Sequence, residues 1–175
     1  MRNVCIVLLA LLGTLSLAIA QTSAEATLQA QLRRVFPAAT SFSTKQPGPP
    51  PHFVAYTGSG ASRVSVGYVF WTTELEPLER GYDGPIKVLV GMDAKGTLTG
   101  IAVTEHNEPY GYFSVEPAAF AEQFKNKDIR DAFKVGADVA AVSRATITIT
   151  STSRAIRNSA RRVARALLTP PAPAK

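Results

Sequence analysis

The stretch Ile86-Lys87-Val88-Leu89-Val90-Gly91-Met92-Asp93-Ala94-Lys95-Gly96-Thr97-Leu98-Thr99-Gly100-Ile101-Ala102-Val103 decides the fold. Ile86, Val88, Val90 and Met92 fall on one face of an extended segment, and Ile101 and Val103 resume the apolar pattern after a break. A side-chain period of two marks a half-buried strand, because successive Cβ atoms point to opposite faces. Asp93-Ala94-Lys95-Gly96 suits a type I turn closing with glycine in the left-handed region. The segment therefore predicts a β-hairpin.

Upstream, Val64, Val66, Tyr68 and Phe70 alternate with Ser65, Gly67, Val69 and Trp71, which reads as another strand. Pro47-Gly48-Pro49-Pro50-Pro51 continues neither helix nor central strand and reads as a stiff, extended connector. Before it, Leu28, Leu32 and Val35 have helical spacing, predicting a short amphipathic helix from Glu25 to Phe36 that closes at Pro37.

Downstream, a polar loop from Glu105 to Val115 leads to a short helix opening at Pro117, with Phe120 and Phe124 one turn apart. The last helix shows Ile156, Ala160, Val163 and Leu167 at spacings of four, three and four. Arg154, Arg157, Arg161 and Arg165 take its opposite side, with Arg162 on the flank. Ser151, Thr152 or Ser153 can cap its start, and Pro170-Pro171 forbids continuation. Hairpins with scattered helices, and no internal repeat, indicate an α+β fold: a mostly antiparallel sheet with flanking helices in a single domain.

The first twenty residues carry a separate instruction. Met1-Arg2-Asn3 is a positive start, Val4 to Ile19 is uncharged and apolar or small, and Ala18-Ile19-Ala20 has the A-x-A form of a cleavage site. This is a secretory signal peptide, preferred over an uncleaved anchor because a spanning helix needs about 20 apolar residues. It predicts a periplasmic protein without a transmembrane segment after cleavage. Removing residues 1–20 takes Arg2 and Cys5, so 19 Lys and Arg fall to 18 against 13 Asp and Glu, and the charge becomes +5. A cysteine-free mature chain excludes disulfides, cysteine-held zinc, iron–sulfur clusters and thiol catalysis. With His52 and His106 as the only histidines, a histidine-rich metal site is excluded too. In an exported protein, the basic balance points to acidic partners, a ligand phosphate or an anionic membrane face rather than nucleic acid.

Two segments could carry chemistry. Val142-Ser143-Arg144-Ala145-Thr146-Ile147-Thr148 offers three hydroxyls and a guanidinium beside a helix start, the groups that a phosphate needs. The plain alternative is a strand, with Thr146, Thr148 and Thr150 toward solvent and Ala145, Ile147 and Ile149 inward. Thr104 to Phe113 mixes ionisable, aromatic and glycine residues. It could wrap a planar ring, with stacking tyrosines, Gly111 allowing close approach and Glu108 accepting ring N–H groups. Alternatively, its tyrosines cover the core. His106 with Glu105 and Glu108 is a poor metal site, and no metal is expected. The arginines of the last helix read as a solvated face, or else as a surface for a membrane or an acidic partner. Glu74, Glu76 and Glu79 look like part of a surface loop. No Ser/His/Asp triad, phosphate-binding GxxxxGKS loop or GxGxxG motif is present.

Four segments in one order, about half of the chain, resemble the bacterial extracytoplasmic FMN-binding domain family. They are Gly81-Tyr82-Asp83-Gly84-Pro85-Ile86, Val88-Leu89-Val90-Gly91, His106-Asn107-Glu108-Pro109-Tyr110-Gly111-Tyr112 and Ser143-Arg144-Ala145-Thr146-Ile147-Thr148. Family members include subunits of sodium-translocating NADH:quinone oxidoreductase. The resemblance is closest to the N-terminal periplasmic flavin domain of NosR-type nitrous-oxide reductase regulators. It implies FMN as cofactor, joined through a phosphoester to a threonine that matches Thr146 by a flavin transferase using FAD and magnesium. It further implies Ser143, Ala145 and Thr148 around the phosphate, and the loop Glu108 to Gly111, with Tyr110, near the ring; Arg144 and His106, beside these segments, complete the candidate cofactor-binding set.

There are two departures from the family pattern. Arg144 stands where glycine is usual, which removes glycine's backbone freedom but offers a cation to the phosphate. Ala140 replaces an acid often found six residues before the threonine, with Asp138 nearby. Larger NosR-type proteins carry membrane helices and cysteine-rich cluster domains, so this chain is expected to be the flavin module alone. The domain reading is a signal peptide at 1–20, a helix and proline-rich connector at 21–51, an FMN-binding domain at 52–169 and a disordered tail at 170–175. The expected role is electron transfer rather than substrate turnover, since no acid/base pair accompanies the ring site. The partners would be the transferase and either membrane redox proteins or an exported reductase. The alternative is a docking or regulatory module, with noncovalent flavin or none.

Overall fold

The computed structural model describes residues 23–168; the expected signal peptide and tail lie outside them. The chain divides into two compact units, Met1–Gln31 and Leu32–Lys175. Residues 23–31 are helical, and this helix, α1, continues to residue 35.

The second unit is α+β, built on a five-stranded antiparallel meander with strands in sequence order. These are β1 (Ser41–Phe42), β2 (Phe53–Thr57), β3 (Val64–Trp71), β4 (Lys87–Asp93) and β5 (Leu98–Glu105). The β4–β5 hairpin forms where the alternation and turn chemistry put it. Asp93 Oδ1 accepts from the backbone N–H groups of Lys95 and Thr97, both at 2.8 Å, and Gly96 takes φ +88°. The short helices are α2 (Thr72–Leu75), α3 (Gly111–Ser114) and α4 (Ala118–Glu122), and the long one is α5 (Thr146–Leu167).

The strand period sorts the side chains onto two faces. Val88, Val90 and Met92 of β4, with Phe70, Leu98 and Ile101, meet Ile149, Ile156, Ala160 and Val163 of α5 in the main core. On the other face, Gly91 pairs with Gly100 across β4 and β5. A Cβ at Gly91 would lie 2.4 Å from the Val35 carbonyl oxygen, so glycine is what lets the chain leaving α1 approach the sheet. Thr99 Oγ1 donates to that same oxygen at 2.6 Å.

Two local expectations are corrected. The proline run is a loop within the sheet, because Gln46 and His52 exchange backbone hydrogen bonds of 2.7 and 3.2 Å around it and β1 pairs with β2. The last helix starts at Thr146, with Ala145 as its N-cap and no side-chain cap. Ser151, Thr152 and Ser153 are thus buried inside it rather than capping it, and the strand alternative for 145–150 fails. Burial decides against the alternation: Thr148, Ile149, Thr152 and Ile156 all find cover only in a helix, and Thr152 Oγ1 donates to the Thr148 carbonyl at 2.7 Å. Among the described residues, no helix is long and apolar enough to cross a membrane.

Candidate functional site

β5 ends at Glu105 and releases the loop 106–110, which α3 closes. Glu108 is buried, and both of its carboxylate oxygens are taken. Tyr82 N donates to Oε2 at 3.1 Å, Asp83 N to Oε1 at 2.9 Å, and Thr148 Oγ1 to Oε2. One side chain therefore ties three segments: the Gly81–Gly84 turn, itself closed by Gly81 N to Gly84 O at 2.7 Å, the loop after β5, and the first turn of α5. The helix start suits this carboxylate, since the macrodipole favours negative charge there. His106 supports the same loop. Its Nδ1 accepts from Glu108 N at 3.1 Å, and its Nε2 lies 3.3 Å from Glu116 Oε1, an arrangement satisfied by the neutral Nε2–H tautomer. Gly111 packs directly against the imidazole, where a Cβ would sit 2.1 Å from Cε1.

Beside this tied wall lies a cavity of about 330 Å³, lined by Tyr82, Pro109, Tyr110, Arg144, Ala145, Thr146, Ile147 and Thr148. Its other wall is open. Arg144 is exposed at φ +67°, a conformation that L-residues rarely adopt, and has no hydrogen-bond or ionic partner among the described residues. Thr146 is exposed with its hydroxyl equally unengaged. The first intrahelical bond runs from Ile149 N to Ala145 O at 2.9 Å, so the N–H groups before it, from Thr146 to Thr148, face the helix mouth. Tyr82 and Ile147 are 70% and 58% exposed, an apolar rim on a cationic opening.

Of the nine residues picked from sequence, Thr146, Thr148, Arg144, Ala145 and Tyr110 line the cavity. Ser143 is exposed next to it in sequence, while His106, Glu108 and Gly111 stand behind the wall. The two threonines separate cleanly: Thr148 is committed to Glu108, and Thr146 offers the available hydroxyl. Tyr82, Pro109 and Ile147 are additional lining residues. Tyr82 reaches the site through the Glu108 bond, 26 positions along the chain, for which local pattern gives no signal beyond the glycine-bracketed turn.

The remaining groups lie elsewhere. Glu105 pairs with Lys87 at 3.4 Å and does not converge with His106 and Glu108; among the described residues no cluster of three such side chains could hold a metal. Burial pushes the Asp138 carboxyl up, but hydrogen bonds from Lys134 N, Lys127 Nζ and Phe133 N outweigh it and hold the pKa below the usual range. Asp138 thus braces the 133–138 loop. Chemically, the cavity can take a planar group between tyrosines while a phosphate meets Arg144, the Thr146 hydroxyl and a helix N-terminus.

Residues 81–163, a little under half of the chain, match the family model of the FMN-binding domain. The match spans β4, β5 and most of α5 together with every residue lining the cavity, and it supports an FMN-binding domain with FMN as cofactor. No curated protein matches the chain.

Proposed function

We propose that this chain is a periplasmic electron-transfer flavoprotein whose FMN is anchored at the start of α5 through a phosphoester to Thr146. The observation that carries the reading is a coincidence: the segment matching the FMN-binding domain contains a cavity in which a free threonine hydroxyl, an unpaired guanidinium and an uncapped helix mouth converge. The donor set fits the group. A phosphate is stabilised at a helix N-terminus by N–H donors and the macrodipole, and a guanidinium adds a charge-assisted contact.

Each residue has a task. Thr146 projects from an exposed helix end, where a separate flavin transferase can reach its hydroxyl; with FAD as donor, the new Thr146 O–P bond replaces the pyrophosphate bond, AMP leaves and the hydroxyl gives up its proton. Arg144 offsets phosphate charge, and Tyr82 and Tyr110 flank the ring while excluding water from one side. Glu108 makes no ligand contact in this reading; it fixes the distance between the Tyr82 turn and Thr146. Bound FMN would supply reversible electron uptake, and the protein would set its position and potential. The partners proposed are membrane redox proteins or an exported reductase, as in the NosR-type branch that the sequence resembles.

The test is production in an export-competent host that contains a flavin transferase, followed by acid precipitation and absorbance. The expected product is yellow, with colour in the pellet, and Thr146→Ala gives a folded protein whose pellet is colourless. A colourless parent protein would overturn FMN binding. Acid-stable colour in Thr146→Ala would overturn the attachment point.

A further inference from the structure

The exposed side of α5 carries more charge than its own fold uses. Thr146, Thr150, Arg154, Arg157, Arg161 and Arg165 fall within about 100° of one another at 3.6 residues per turn, so one stripe runs from the cavity to the far end of the helix, about 28 Å away. The helix contains no Asp or Glu.

Two grooves share this stripe, and the segment 129–135 contributes lining residues to both. One, of about 640 Å³, is lined by Lys95, Arg130, Arg161 and Arg165 together with the apolar Ile129 and Ala164. The second, of about 630 Å³, shares Arg161 and adds Lys134, Arg154 and Arg157 beside Phe133 and Val135. Arg161 links them, donating to the carbonyls of Ile129 at 2.7 Å and Asp131 at 2.9 Å.

Carboxylates answer only part of this charge. Arg154 meets Glu79 at 2.8 Å. Arg130 meets Asp128 at 2.7 Å, where its hydrogen bond holds the aspartate pKa down at about 2, so that pair is ionic at any working pH. Lys95, Lys134, Arg157, Arg161 and Arg165 have no carboxylate within ion-pair distance among the described residues. Residues 1–22 and 169–175 contain no Asp or Glu, so neither segment can neutralise the grooves, and a second copy would bring more positive charge.

We infer that these paired grooves are a docking surface for an acidic polypeptide, seated along α5 with its carboxylates on the arginine stripe. A membrane is the poorer occupant. An interfacial helix must offer its apolar face to lipid, and that of α5 is buried against β4. None of the exposed large apolar residues, Val64, Leu78, Tyr82, Tyr110, Tyr112 and Ile147, lines either groove. Arg161 spends its Nε and Nη2 on carbonyls, whereas Arg165 makes no hydrogen bond or ion pair among the described residues and keeps its whole fork for bidentate carboxylate recognition. A partner seated there would reach Thr150, one turn from Thr146, yet the surface stands without the flavin.

The experiment uses protein purified from an exporting host and two probes: poly-L-glutamate, and phosphatidylcholine vesicles containing phosphatidylglycerol. The double variant Arg157→Glu/Arg165→Glu is compared with Arg33→Glu/Arg34→Glu, which makes the same change in net charge on α1. Poly-glutamate binding is expected to fall about tenfold or more in the first and by no more than about twofold in the second, and to weaken with salt. Should circular dichroism show the first variant unfolded, Lys95→Glu/Arg165→Glu replaces it with the same expectation. Equal losses in both variants, or no poly-glutamate binding by the parent, overturn the proposal. Vesicle binding that is stronger and lost with the stripe assigns the face to a membrane instead.

Discussion

The two walls of the cavity differ in how their polar groups are used. Behind the Glu108 wall the polar groups answer one another: two backbone amides and the Thr148 hydroxyl on one carboxylate, and Glu108 N and Glu116 on one imidazole. Along the Arg144 wall, a guanidinium, a threonine hydroxyl and the helix amides face open space. Buried polar groups cost free energy unless paired, so the first pattern serves folding. The Arg144 guanidinium, on a left-handed backbone, has no partner among the described residues, so we assign the second pattern to the proposed ligand rather than to the fold. The contrast predicts opposite signatures: substitutions in the first wall change stability, and substitutions in the second change binding.

The largest effect belongs to Glu108→Ala, which strands two amides and a hydroxyl. We expect a loss of about 3 kcal/mol in urea denaturation. A change below about 1 kcal/mol would mean that the three segments hold together without their shared carboxylate. Gly81→Ala comes next. Its Cβ would lie 2.4 Å from Glu108 Oε1 and 2.8 Å from Ile86 Cδ1, and the carboxylate cannot swing away without giving up its partners. A loss of about 2 kcal/mol is expected by the same measurement.

These two predictions also show where the sequence is legible. The β4–β5 hairpin can be read because alternation and turn chemistry are both local. The later turns of α5 can be read because Ile156, Ala160, Val163 and Leu167 keep helical spacing. Its first turns cannot: Thr146-Ile147-Thr148-Ile149-Thr150 is β-branched and alternates with period two, and only the sheet and Glu108 show that the helical arrangement buries more. The site divides in the same way. Thr146 and Arg144 lie two positions apart in sequence and line the same cavity, so a local pattern marks both. The Tyr82 wall depends on a bond between positions far apart along the chain, and the glutamate expected to face a ring is spent on making it. The arginine face of α5 is likewise less free than its spacing implies. Arg162 and Arg154 hold Glu76 and Glu79, acids that read as a plain surface loop.

Arg144→Gly sharpens the comparison by giving the two readouts opposite signs. Relieving a left-handed arginine gains more than the added freedom of glycine costs the folded state, so stability should rise by about 0.5 kcal/mol. Noncovalent FMN should bind about tenfold more weakly for want of a charge-assisted contact, read by flavin fluorescence titration. A variant both less stable and unchanged in FMN affinity would make Arg144 a structural residue and erase the distinction between the walls.

The smallest stability effect is expected at the residue with the largest proposed role. Thr146 is exposed, its hydroxyl meets nothing, and alanine is the better helix former at that position. Urea denaturation of apo Thr146→Ala should therefore match the parent within about 0.5 kcal/mol. Thr148→Ala, two residues on, should lose about 1 kcal/mol or more because Glu108 Oε2 loses its hydroxyl donor. If both threonines proved equally costly, the Thr146 hydroxyl would be part of the fold, and the cavity would lack the free threonine hydroxyl on which the proposed phosphoester depends.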